Sequence, residues 1–318
     1  MILVFLIFFI VMVLWVFGRR EPADLKTHFD EGQLGLDLDG YLQAAEAKIP
    51  DIIPGTEKRI IWHESSQQKT PVSIVYLHGF SASSEEIRPV PDQVAHSIGA
   101  NLYFARLSGH GRSGEAIAEA TVASWMQDTA EALSIGRHIG ERIVVISTST
   151  GGTLSAAAAC DSVLSKNVAG MIFVAPNFGV NNAAARLLTW PFARIWIPRL
   201  VGRERRFKVL NPEHGKFWTT AYPIVSTLPM AALVQKVVRK NFSDVQIPAL
   251  FIMSENDQVV RPDMIKKIAQ RWGGENEVLK VVPGPNDDAE GHVLAGDIFS
   301  PDLTDDVVGK ILDWIKRL

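Results

Sequence analysis

Along the chain, short continuous apolar runs alternate with stretches in which apolar residues return every three or four positions. Residues 72–77, 102–107, 143–146, 171–174, 249–253 and 278–282 are apolar without a polar partner face, the pattern of strands buried on both sides. Within 121–135, Val122, Trp125, Met126, Ala130 and Leu133 share one helical face. In the last segment Val307, Val308, Ile311, Ile315 and Leu318 share another, with Asp306, Lys310, Asp313 and Arg317 opposite. Ser83 followed by Glu86 reads as a capping box, and Pro262 with Gly273 and Gly274 after Trp272 bounds a further helix. Strand and helix in alternation predict an α/β fold, a mostly parallel sheet with helices on both faces.

Three regions stand outside this rhythm. From about 177 to 246 no strand signal occurs, and this interval reads as a lid inserted into a main domain spanning 58–318. Residues 19–57, mixed in polarity and broken by Pro22, Pro50 and Pro54, read as a linker and collar with one short helical candidate at 39–48. Ahead of them, residues 1–17 contain no polar side chain, and at about 1.5 Å rise per residue a helix over 1–18 just spans a hydrocarbon core. The run lacks a basic start and ends in Gly18-Arg19-Arg20, so it reads as a retained single-pass membrane anchor rather than a cleaved signal peptide. Its basic flank lies on the C-terminal side, which places the main domain in the cytoplasm by the positive-inside rule.

Composition narrows the partners. A chain of 318 residues with 47% hydrophobic content supports one large core, and a net charge of -3 gives no footprint for nucleic acid. Cys160 is the single cysteine, so no internal disulfide forms, and no Cys and His group has metal-ligand spacing; neither metal nor organic cofactor is expected. Nothing in the sequence specifies an oligomeric state. The lid carries Arg186, Arg194, Arg199, Arg203, Arg205, Arg206 and Lys208 against a lone acid, Glu204, among Trp190, Phe192, Ile195, Trp196 and Ile197. That mixture fits either a surface for anionic lipid headgroups or aromatics packed on the core with arginines reaching water.

Candidate chemistry lies in four fragments: His78-Gly79-Phe80, Ser147-Thr148-Ser149-Thr150-Gly151, Asp257 and His292. Taken singly, each has a plainer reading as a turn, a Ser/Thr-rich strand-helix junction, a helix cap or a solvated loop histidine. Together they stand in the order Ser, acid, His. A serine hydroxyl needs an imidazole to take its proton and a carboxylate to hold that imidazole in the right tautomer. Asp287 and Asp288 lie nearer His292 but in its own loop, where they would flank the ring rather than orient it.

This set resembles the α/β-hydrolase superfamily, with Ser147 to Gly151 similar to its nucleophile elbow, although Ser147 stands where the family most often has glycine. Gly109-His110-Gly111-Arg112-Ser113-Gly114 formally fits a dinucleotide-binding loop. Asp128, however, falls inside the helical pattern and not at the end of a second strand. The Gly-His-Gly-x-Ser sequence instead resembles the monoglyceride-lipase-like branch and the related serine aminopeptidase group. The resemblance implies Ser149 as nucleophile, His292 as general base, Asp257 as its orienting acid, and the Phe80 and Thr150 amides as oxyanion donors. It further implies a membrane-anchored serine hydrolase that cleaves carboxylic esters, lipid-like ones above all, through an acyl-enzyme. Peptidase, lysophospholipase and thioesterase activities stay open, and a noncatalytic membrane-tethered binding module on the same fold is the reading from another class.

Overall fold

A computed structural model of the chain describes residues 5, 9, 12, 13, 15–65 and 67–318. Its strands are β1 Arg59–Ile61, β2 Thr70–Leu77, β3 Asn101–Phe104, β4 Gly140–Thr148, β5 Val168–Val174, β6 Glu204–Arg206, β7 Ala221–Pro223, β8 Ala249–Met253 and β9 Asn276–Lys280. Seven of them form one sheet in the order β1-β3-β2-β4-β5-β8-β9. Only β1 runs antiparallel to its neighbour; every other pair in this sheet is parallel.

All six apolar runs contribute strands, and the five inside the sheet are covered on both faces, whereas β9 lies at the edge and is only half-buried. Val75, Val145, Phe173 and Phe251 point to one face, where the helices Val122–Ile139, Ser149–Ala159, Thr227–Val237 and Pro262–Ala269 supply Trp125, Leu154, Leu233 and Ile268. Ile74, Ile146, Ile172 and Ile252 point to the other, against Val94 of the helix Val90–Ile98 and Ile311 and Trp314 of the helix Pro301–Ile315. This is an α/β-hydrolase fold with a mostly parallel central sheet.

Several expectations need correction. The interval 177–246 does contain strands: β6 and β7 form an antiparallel pair. Glu204, Arg205 and Arg206 are exposed, so β6 forms by pairing with β7 and carries no apolar signal. β1 was too short to show a period. Ser83 and Glu86 do not cap a helix: residues 84–89 form turns, and the helix begins only at Val90. The segment read as linker and collar contributes Leu34, Leu38 and Leu42 to the main core, and Glu46 pairs with the buried Arg106 through both carboxylate oxygens.

The expected membrane anchor over 1–18 falls largely outside the described residues, and among the described residues no helix is long and apolar enough to cross a membrane. The end of this segment and the residues just after it meet the insertion between β5 and β8. Trp15 packs edge-on against Trp190 at 4.9 Å between ring centres, the Phe192 N–H donates to the Arg19 carbonyl, and Arg194 pairs with Glu21.

Candidate active site

β4 passes into the helix Ser149–Ala159 without a loop, and Ser149 takes the bend with φ of 49°. A left-handed conformation costs a non-glycine residue about 1–2 kcal/mol and persists only where its surroundings enforce it. Here the neighbours are tight. A Cβ on Gly151 would lie 2.2 Å from the Leu77 carbonyl oxygen, so glycine is required two positions after Ser149. Two positions before it, Ser147 is fully buried and its hydroxyl donates to the Ile172 carbonyl at 3.2 Å. Serine therefore fits where the family usually has glycine, and Ser147 is committed to the sheet.

The parallel strands bring three more elements to this edge. After β8, Asp257 Oδ1 accepts the N–H groups of Val259 and Val260, both at 2.8 Å, which fixes the carboxylate in its own turn. Asn181 Nδ2 donates to the Asp257 carbonyl and ties that turn to the insertion. After β9, Asp288 Oδ2 accepts the N–H groups of His292 and Val293, both at 2.9 Å, shaping the loop that presents the imidazole. Asp288 thus flanks the ring and does not orient it.

His292 Nδ1 lies 2.9 Å from Asp257 Oδ2, and Nε2 lies 3.1 Å from Ser149 Oγ. With the carboxylate accepting from Nδ1–H, Nε2 is left to accept the serine proton. All three residues are buried. Burial alone would push the imidazole pKa down, but the hydrogen bond and charge of Asp257, with Glu86 and Asp288 behind, hold it above its ordinary value.

Opposite Ser149, the turn after β2 is locked at both sides of Gly79. His78 Nδ1–H donates to the Gly79 carbonyl at 2.8 Å while His78 Nε2 accepts the Leu107 N–H at 3.1 Å. Burial, with His110 and Arg106 nearby, pushes His78 down to about 3, so it stays neutral as this pairing requires. A trans peptide sets C=O and the next N–H in opposite directions, so fixing the Gly79 carbonyl also fixes the direction of the Phe80 N–H. Among the described residues that N–H meets no protein acceptor. The Thr150 N–H belongs to the first helical turn, whose amides have no partner within the helix. The insertion touches this turn: the Thr219 N–H donates to the Ser81 carbonyl at 2.7 Å, and Tyr222 packs edge-on against Phe80.

All five expected site residues therefore converge on one sheet edge. Sequence reasoning missed Glu86, whose carboxylate lies beneath the Gly79 turn. The Gly109 to Gly114 segment forms a tight turn in which Gly109 and Gly111 have positive φ, His110 is buried edge-on against His78, and Asp128 accepts the Ser108 N–H from mid-helix. Its glycines serve packing, and a dinucleotide site is not supported by this geometry.

The sequence profile described as serine aminopeptidase, S33, matches residues 68–285. A thermostable monoacylglycerol lipase from Bacillus sp. (strain H-257) is 24% identical over 192 residues, covering 60% of this chain and 73% of the relative. Among solved structures, one from the metagenome-derived lipolytic enzymes LipS and LipT aligns with a TM-score of 0.64 and 18% identity, over 84% of this chain and 100% of that one. A soluble variant of the Saccharomyces cerevisiae monoglyceride lipase aligns with a TM-score of 0.61 and 12% identity, over 82% and 90% of the two chains. These two structural likenesses speak to fold alone. The profile match takes in β2, the elbow and Asp257, more than half of the chain, and on that ground the protein belongs to the serine aminopeptidase S33 family of α/β-hydrolases, as a serine hydrolase of the esterase and lipase type.

Proposed function

We propose that the protein is a membrane-tethered serine esterase that hydrolyses carboxylic esters of apolar, lipid-like acyl groups through an acyl-enzyme. The observation that carries this reading is the unbroken line of hydrogen bonds from Asp257 through His292 to Ser149 at a strained elbow. Ser149 Oγ attacks the ester carbonyl while His292 Nε2 takes the hydroxyl proton, and Asp257 holds the resulting imidazolium. The Phe80 and Thr150 amides receive the oxyanion; one such donor is worth about 3 kcal/mol in a comparable site. His292 returns the proton to the leaving alcohol. A water then gives its proton to His292 and attacks the acyl carbon, releasing the acid and restoring Ser149. No metal or organic cofactor takes part in these steps.

The lipid-like substrate and the membrane rest on further observations. The exposed side of the insertion combines Ile195, Leu200, Val201 and Leu210 with Arg203, Arg205 and Lys208, beside an Arg206 that pairs with the one acid there, Glu204, a net-basic surface suited to anionic headgroups. The contacts of Trp15, Arg19 and Glu21 with the insertion bring the end of the expected anchor to the lid at about 177–246, and the basic flank Arg19-Arg20 favours the cytoplasmic side for the catalytic domain at 58–318. The similarity to a protein described as a monoacylglycerol lipase, from Bacillus sp. (strain H-257), supports a monoacylglycerol-like ester as substrate.

A series of 1-monoacylglycerols and p-nitrophenyl esters of rising acyl length tests the substrate class. The expected kcat/KM rises from acetyl to long-chain acyl groups. Flat activity along the series removes the lipid-like claim, and faster cleavage of an aminoacyl p-nitroanilide than of any ester moves the reading to a peptidase. Activity should also have an acid limb. His292 acts as a base only when neutral and its pKa is raised, so kcat/KM falls as pH drops through that raised value, above the point expected of a free imidazole. A limb below it would separate His292 from Asp257.

A further inference from the structure

Glu86 is a carboxylate that this chemistry leaves unused, directly beneath the oxyanion turn. It is 3% exposed, and among the described residues no arginine or lysine pairs with it. Its Oε2 accepts the Gly79 N–H at 2.6 Å and the Tyr76 hydroxyl at 3.2 Å. That hydroxyl also lies 3.1 Å from Thr148 Oγ1, on the residue just before Ser149. A Cβ on Gly79 would lie 2.6 Å from Glu86 Oε1 and 3.1 Å from Ser149 Cβ, so the carboxylate and the serine flank the same glycine. Other charged groups are accounted for. Glu85 is held outward by Arg59 and Arg88, while Asp257 and Asp288 contact the imidazole loop from their own elements.

We propose that Glu86 is a positioning residue for the acyl transfer: its buried carboxylate clamps the Gly79 amide, and with it the Phe80 N–H, against the elbow. The proposal rests on the Ser149, His292 and Asp257 reading given above. A charge-assisted hydrogen bond is roughly twice as strong as a neutral one, so the ionised form holds the turn best. Burial raises Glu86 to about 7, with the Gly79 N–H, His292 and Tyr76 pulling the other way. The oxyanion exists only along the reaction path, so the benefit of a fixed Phe80 N–H belongs to kcat rather than KM.

The test compares full-length wild type, Glu86→Ala and Glu86→Gln in detergent with p-nitrophenyl butyrate, with active sites counted by fluorophosphonate titration. Glu86→Ala should lower kcat per active site about 30-fold with KM within about twofold. Glutamine can still accept from Gly79, so Glu86→Gln should stay within about fivefold of wild type at alkaline pH. Its acid limb should move modestly to lower pH, because one of the charges that raise His292 is gone while Asp257 remains. Wild-type kcat and an unmoved limb in both variants overturn the proposal, as does a fall in folded or titratable enzyme with kcat per site unchanged. Glu86→Gln carries the test if Glu86→Ala does not fold. A Ser149→Ala control that retains turnover instead overturns the parent reading, and this one with it.

Discussion

Ser149→Ala should lower turnover of p-nitrophenyl esters by about 10,000-fold or more while leaving the melting temperature unchanged or slightly higher. In the proposed triad the loss is large because His292 and Asp257 would have nothing to activate once the nucleophile is gone, the three acting as a unit. The fold should not suffer. The Ser149 hydroxyl makes its contact with His292 and with no strand, and the bend at φ of 49° is enforced by Gly151 against Leu77 and by the Ser147 bond to Ile172. Ser147→Ala is the matching control: it removes a bond inside the sheet, and its effect should appear in stability, with kcat close to wild type. A drop in kcat for Ser147→Ala equal to that for Ser149→Ala would mean that the wrong serine has been placed at the reacting carbon.

Asp257→Asn should lower kcat by about 10,000-fold with KM little changed. The reason lies in how the carboxylate is already spent. Oδ1 accepts two backbone N–H groups, so an asparagine keeps its carbonyl oxygen there and turns its NH2 toward His292. The imidazole must then accept at Nδ1 and carry its proton on Nε2, where it faces Ser149 with a hydrogen and takes none. The charge that raises His292 also disappears, so the residual activity should show an acid limb at lower pH than wild type. A steady-state pH profile of the variant checks both parts, and activity within tenfold of wild type would remove Asp257 from the site.

The parts of this site that were legible in the sequence are those whose geometry is local. Continuous apolar runs predict strands covered on both faces, and the observed alternation of Val75 with Ile74 and of Val145 with Ile146 between two core faces is the reason. Ser147, Ser149 and Gly151 announce a crowded strand-to-helix bend by size alone. His292 and Asp257 gain meaning only from their order along a parallel sheet, which carries distant loops to one edge.

Glu86 was not legible for the opposite reason. Three residues after Ser83 it imitates a capping box, and only the fold turns it inward under Gly79. The pair of β6 and β7 escaped notice because Glu204, Arg205 and Arg206 are exposed and find their strand geometry through backbone pairing with 221–223. The collar escaped in part because Leu34, Leu38 and Leu42 are spread over a segment rich in turn residues, yet all three are buried.

The most direct measurement is peptide mapping of the full-length protein after reaction with a fluorophosphonate. A single adduct on Ser149, absent from Ser149→Ala and slowed in Asp257→Asn, is the result expected of an activated serine at this elbow. No adduct on folded protein, or an adduct on any other residue, would contradict a Ser149-centred hydrolase and leave a fold without the proposed chemistry.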